Sequence, residues 1–232
     1  MFKSLFVLLF VLLFQGMARA DQIGFYFGTF DPPHKAHLQL VRDALAQVPL
    51  DAVYVLPNYS PEHKPGATEF IHRYQMVALE AEHLPGMRIL PIEAFTQAAQ
   101  RDPNDLTGAL INGLREDLGP GHRYYHLTGT DSFNKMVDYG KLPTPAENRT
   151  VLVIPRQGYE LVRTPEVEAA LADGRVKMLA VTLPELSSSE IRTRVHADDP
   201  ALRELLSPWV YDYILRQRLY GLPALMEPAN PS

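Results

Sequence analysis

Residues 23–38 read IGFYFGTFDPPHKAHL. A short apolar run ends at Gly28, a turn rich in proline follows, and His34 and His37 open an amphipathic segment. The pattern predicts a strand, a tight turn and a helix N-terminus. The first N–H groups of a helix lack intrahelical partners and carry the positive end of its dipole, so this end suits a phosphate. Two imidazoles on one helical edge add directed donors. Two other readings stay open: a shared metal on the histidine pair, although no HExxH or third ligand stands at a recognisable spacing, and simple capping by exposed histidines.

The rest of the chain repeats this strand–helix unit. Strands are expected at Ile23–Phe27, Ala52–Leu56, Met87–Ile92, Tyr124–Leu127, Thr150–Ile154 and Val176–Val181. Helices are expected at Lys35–Gln47, Phe70–His83, Leu106–Asp117, Ser132–Val137, Pro165–Leu171, Ser188–Val195, Pro200–Leu205 and Pro208–Leu219. Such alternation predicts an α/β fold, a Rossmann-like doubly wound parallel sheet with right-handed crossovers and a small C-terminal helical part. With strand order 3-2-1-4-5, strands 1 and 4 are neighbours, and the loops at their carboxyl ends flank one crevice.

Composition narrows the function. The 232 residues are 46% hydrophobic, enough for one sizeable core. A formal net charge of −5 gives no global basic field for a nucleic-acid backbone. No cysteine is present, which removes a thiol nucleophile, thiolate metal sites and disulfides. At the start, Lys3 precedes the apolar run LFVLLFVLLF at 5–14 and then Ala18-Arg19-Ala20, the layout of a secretory signal peptide over residues 1–20. The run is too short for a bilayer, which needs about 20 residues. Cleavage would export a chain beginning at Asp21. An uncleaved anchor, or a start at Met17 that leaves the protein cytoplasmic, are the alternatives. Residues 21–222 then form one domain, and 223–232, with Pro223, Pro228 and Pro231, a loose tail.

Three further stretches bear chemistry. Leu127-Thr128-Gly129-Thr130-Asp131 ends the fourth strand; Gly129 lets the backbone approach a ligand, and Asp131 is expected to cap the next helix. Leu186-Ser187-Ser188-Ser189-Glu190-Ile191-Arg192 gathers hydroxyls, N–H groups and a guanidinium at a helix start, and doubles as a capping box. Lys64, in the loop PNYSPEHK at 57–64, and Arg73 beyond it could reach an anion or stand as solvated charges.

Together these motifs resemble the nucleotidylyltransferase superfamily, whose GxFDPxHxGH signature is matched by GTFDPPHKAH at 28–37. The wider chain resembles the nicotinate/nicotinamide mononucleotide adenylyltransferase family of the bacterial type, through PNYSPEHK at 57–64, Arg73 with Met76, GTD at 129–131, VIPRQG at 153–158, SSSEIR at 187–192 and SPWVYDYILRQRLY at 207–220. The matches run in family order over nearly all of 22–221. Phe27 and Ala36 stand where the family has glycine, Tyr139 where it has tryptophan, and Asn104-Asp105-Leu106-Thr107 matches the ring-recognition loop poorly. The resemblance implies adenylyl transfer from ATP, with Mg2+, to a pyridine mononucleotide. It implies His34, His37 and Arg192 as catalytic residues. Gly28, Thr29, Phe30, Gly129, Asp131, Ser188 and Ser189 would bind the nucleotide, and Lys64, Arg73 and Thr107 the second substrate. The expected partners are these small molecules, with no nucleic acid and no transmembrane span in the mature chain; a homo-oligomer is compatible with it. The choice between nicotinate and nicotinamide stays open, as do a related transferase acting on another phosphate, such as pantetheine phosphate, and a non-catalytic nucleotide-binding protein of the same fold.

Overall fold

The computed structural model describes residues 21–59, 66–103, 105–119, 121–181, 183, 186–197 and 199–221. The expected signal peptide at 1–20, Lys64 and the tail at 223–232 lie outside the described residues. Within them, β1 (Gln22–Gly28), β2 (Ala52–Pro57), β3 (Met87–Arg88), β4 (Arg123–Gly129), β5 (Arg149–Ile154) and β6 (Val176–Met178) form one parallel sheet in the order 3-2-1-4-5-6. The expected order holds, and β6 extends it by one strand.

Two helices, α1 (Lys35–Gln47) and α2 (Phe70–His83), cover one face. Leu38, Leu40, Val41 and Ala44 of α1 recur at helical spacing and pack on Tyr26, Val53, Val55, Leu127 and Leu152. The other face carries α3 (Ile92–Arg101) and α4 (Leu106–Leu118) on Ile23, Phe25, Leu56 and Tyr124. Beside them α5 (Thr130–Asp138) and α6 (Pro165–Ala172) cover Val151, Val153 and Val176. A helical unit closes the chain: α7 (Ser188–His196), α8 (Leu202–Leu205), α9 (Pro208–Gln217) and a 3-10 turn (Leu219–Gly221). Its apolar side meets Ala36 of α1 and Met76 of α2. The small residue at 36 is therefore set by helix packing, since its Cβ is buried under this unit.

Several boundaries differ from expectation. The strand expected over Met87–Ile92 pairs only at Met87–Arg88, and α3 follows where no helix was expected. Leu90-Pro91-Ile92 reads as extended, but Pro91 cannot donate to a ladder. Phe95 and Ala98, three apart and both buried, set a helical period instead. The strand expected over Val176–Val181 stops at Met178, the helix expected from Pro200 begins at Leu202, and α9 ends at Gln217, where Arg218 turns left-handed. No helix among the described residues is long and apolar enough to cross a membrane.

Candidate active site

The turn after β1 is held at nearly every residue. Phe30 has a positive φ of 51° and its side chain is fully buried. Its ring lies so close beneath Gly28 that a Cβ there would come within 2.8 Å, so residue 28 must be glycine. Arg73, 1% exposed, spends its guanidinium on carbonyls: Nε donates to Thr68 (2.7 Å), Nη1 to Thr29 (2.9 Å) and Asn58 (2.7 Å), and Nη2 to Tyr59 (3.2 Å). Burial lowers its pKa, and the nearby Asp31 opposes that shift. Arg73 thus ties the loops after β1 and β2 together.

Asp31, also buried, accepts from the Thr68 N–H at Oδ2 (3.1 Å) and from the Tyr220 hydroxyl at Oδ1 (2.8 Å). The start of α7 docks on the same turn. Arg192 Nη1 donates to the Asp31 carbonyl (2.8 Å), and the Ser188 hydroxyl to the Pro32 carbonyl (3.0 Å). Arg192 Nη2 reaches Ser189 Oγ (3.1 Å), and Ser187 caps the helix by accepting from the Glu190 N–H (3.1 Å). SSSEIR and GTFDPPH therefore share one wall, although about 160 residues separate them.

His34 is the N-cap of α1 and His37 closes the cap on its N–H, but His34 is 3% exposed, so the pair caps the helix without standing exposed. The His34 Nδ1 is buried with no hydrogen-bond partner among the described residues. An orphaned buried polar atom is costly and asks for a ligand or water. Burial, with the Arg156 guanidinium adding to it, pushes the His34 pKa down to about 3, so the ring is neutral. The two imidazole rings lie 3.7 Å apart between centroids. His37 Nδ1 accepts from the His34 N–H (3.2 Å), which puts the proton of a neutral His37 on Nε2. Its ring is wedged edge-on against Phe30 at 5.0 Å, which fixes its direction.

At the neighbouring strand end, Gly129, not Asp131, is the N-cap, and α5 begins at Thr130. Asp131 stands in the first turn and takes an ion pair from Arg156 Nη1 (3.1 Å). A Cβ on Gly129 would meet Asp131 Oδ1 at 2.9 Å. Arg156 also donates to the Leu186 carbonyl (3.3 Å), joining the end of β5 to the approach to α7. Sequence reasoning assigned no role to Arg156; its place one residue past Pro155, at the carboxyl end of the strand beside β4, was the available signal.

Gly28, Thr29, Phe30, His34, His37, Gly129, Asp131, Ser188, Ser189 and Arg192 thus gather at the carboxyl ends of β1 and β4. Thr107 sits on the first turn of α4, on the sheet face opposite α1. Phe27 also points to that far face: its ring packs edge-on to His126 at 5.7 Å, so it does not crowd the histidines. Tyr139 is 66% exposed at the C-cap of α5.

Residues 25–194 match the model of the family described as cytidylyltransferase-like. The chain is 30% identical over 203 residues to a probable nicotinate-nucleotide adenylyltransferase of Carboxydothermus hydrogenoformans, covering 86% of this chain and 98% of that one. It is 29% identical over 216 residues to a protein of the same name from Shewanella sp. (strain MR-7), covering 86% and 99%. Among solved structures it resembles the Plasmodium falciparum nicotinic acid mononucleotide adenylyltransferase complexed with APC, at a TM-score of 0.63 and 19% identity, over 88% of this chain and 98% of that one. The same protein complexed with NaAD matches at a TM-score of 0.61. These two likenesses bear on the fold.

Proposed function

The chain belongs to the cytidylyltransferase-like family, and we propose that it transfers the adenylyl group of ATP to nicotinate mononucleotide, giving the dinucleotide and pyrophosphate. The relatives named above act as the guide to the acceptor. One observation carries the reading: the glycine turn with its two histidines, the Gly129–Asp131 loop with Arg156, and the serine-arginine start of α7 converge on one crevice. That set neutralises phosphate charge, and its Ser188 and Ser189 hydroxyls pair with the Pro32 carbonyl and Arg192 and not with a base that would make them nucleophiles.

The chemistry needs none. The acceptor's 5′-phosphate is itself an anion and attacks the α-phosphorus of ATP in line, so catalysis is positioning plus neutralisation of developing charge. His37 donates from Nε2 to the transferring phosphoryl group. His34 enters neutral, and an arriving polyanion raises its pKa and so favours its protonation. Arg192, Ser188, Ser189 and the N–H groups of α7 hold the leaving β- and γ-phosphates. Gly28, Thr29, Phe30, Gly129 and Asp131 line the nucleotide. Lys64 and Thr107 serve the acceptor, and Arg73 serves it by holding the loops after β1 and β2. Mg2+ comes with ATP as part of the substrate, bridging its phosphates. Residues 21–222 form the domain and 1–20 an export signal, for which a mature chain beginning at Asp21 by mass spectrometry is the check.

Purified protein given ATP, Mg2+ and nicotinate mononucleotide should release pyrophosphate and form the dinucleotide; nicotinamide mononucleotide serves as the competing acceptor. A folded protein that releases none from either acceptor defeats the proposal. His37→Ala should lower kcat at least about 100-fold, the scale of losing one donor to a transition state. A change confined to KM would contradict its role.

A further inference from the structure

Three non-glycine residues among those described have positive φ: Phe30 (51°), Arg218 (53°) and Tyr220 (62°). This backbone region is unfavourable for L-residues and persists only where surrounding contacts impose it. All three lie around a single hydrogen bond, that from the Tyr220 hydroxyl to Asp31 Oδ1, which spans 189 residues of sequence. Phe30 precedes the acceptor. Arg218 ends α9 in a left-handed cap, and Tyr220 reverses the chain again so that its ring reaches the turn. Gly221 then passes so close to α7 that a Cβ would meet His196 Nδ1 at 2.9 Å.

We infer that Tyr220, through its hydroxyl on the Asp31 carboxylate, is a positioning residue for the turn that carries His34. The inference rests on the proposed adenylyl transfer and adds to it the C-terminal turn as a working part of the site. Asp31 is the natural handle. Its carboxylate also takes the Thr68 N–H, its carbonyl takes Arg192, and His34 follows three residues on. Without the Tyr220 hydroxyl, one oxygen of a 2%-exposed carboxylate loses its donor, and the group can relax only by moving. Movement at Asp31 shifts the Arg192 contact and the entry to α1 together. Burial and the adjacent carboxylate raise the Tyr220 pKa, so the hydroxyl stays protonated and donates.

A mere anchoring role would cost stability alone; positioning costs turnover. Tyr220→Phe keeps the ring and removes only the hydroxyl. The full chain carrying it should stay folded, with its Tm lowered by about 3–12 °C, and keep its KM for ATP within about threefold, while kcat falls about tenfold. The imidazole resonances of His34 and His37 should shift in histidine-labelled protein. Asp31→Asn should lower kcat as well, and the double variant should be no slower than Asp31→Asn alone, because both changes break one joint. Unchanged turnover and unmoved histidine signals in Tyr220→Phe would overturn the inference, as would a loss of Tm with kcat intact. If the wild-type protein turns over neither pyridine mononucleotide, the proposed function fails, and the histidine signals alone decide: moved, Tyr220 positions the turn; unmoved, it does not.

Discussion

At the scale of single residues, the histidines show how burial sets chemistry. Phe27 and Ala36, which depart from the family's glycines, both point away from the histidines: one toward His126, the other into the C-terminal helices. His34 and His126 are held down to about 3 and about 4, in each case by burial first and then by an arginine, Arg156 or Arg149. Both start from 6.5 when exposed, so between pH 6.5 and those lower values the unfolded chain binds protons that the folded chain refuses. Stability should therefore be full above about pH 6.5 and fall as the pH drops toward 4 and 3. Each histidine contributes up to about 1.4 kcal/mol per pH unit. Urea denaturation of the ligand-free protein at pH 7, 6 and 5 measures this. His126→Gln should remove about one proton from the slope, and an unchanged slope would show that His126 titrates normally in the folded protein. The position of the histidines at the start of α1 was legible in the sequence from their place after Gly28. The neutrality of His34 was not, because it comes first from burial in the folded turn and then from Arg156, which is 122 residues beyond it.

At the scale of elements, periodicity was legible wherever one helix face meets one sheet face. The bounds of α1 and α2 agree with the spacing of their apolar residues. It failed for α3, where Leu90-Pro91-Ile92 hides a short helix behind an extended apolar run. It misplaced the cap of α5, where Asp131 is drawn instead to Arg156. The join between α2 and α9 was also beyond periodicity. Glu80 is buried on α2, and its carboxylate accepts from the Ser207 hydroxyl at 2.6 Å. Ser207 Oγ also accepts from the Val210 N–H at 3.3 Å, so one serine caps α9 and satisfies a buried acid. Burial raises the Glu80 pKa, and the serine bond opposes that shift. Ser207→Ala removes both bonds. It should destabilise the protein by about 2–4 kcal/mol, the sum of a lost cap and a lost bond to a buried carboxyl. Chemical denaturation measures it. A loss below about 1 kcal/mol would mean that water replaces the hydroxyl and the clasp is dispensable.

At the scale of the whole molecule, strand alternation was enough to place β1 and β4 side by side, and so to place two walls of the crevice. The third wall was legible only as a motif. What docks it, Arg192 and Ser188 on the carbonyls of Asp31 and Pro32, is a set of side-chain-to-backbone bonds over 161 and 156 residues that no local pattern encodes. The turn, α7 and the end of α9 consequently form one mechanical unit with their shared apolar cluster. A ligand that binds across the crevice should stabilise that unit as a whole. ATP with Mg2+, without acceptor and at 100 times its Kd, adds about 2.7 kcal/mol by mass action. For a chain of this size that is a rise in Tm of about 5–10 °C. Hydrogen exchange should show amides in 28–37 and 188–192 gaining protection together, with 219–221 following because Tyr220 is tied to the same carboxylate. Protection confined to 28–37 would mean that ATP engages the first wall alone. The C-terminal helices would then be packing for the sheet and no part of the nucleotide site.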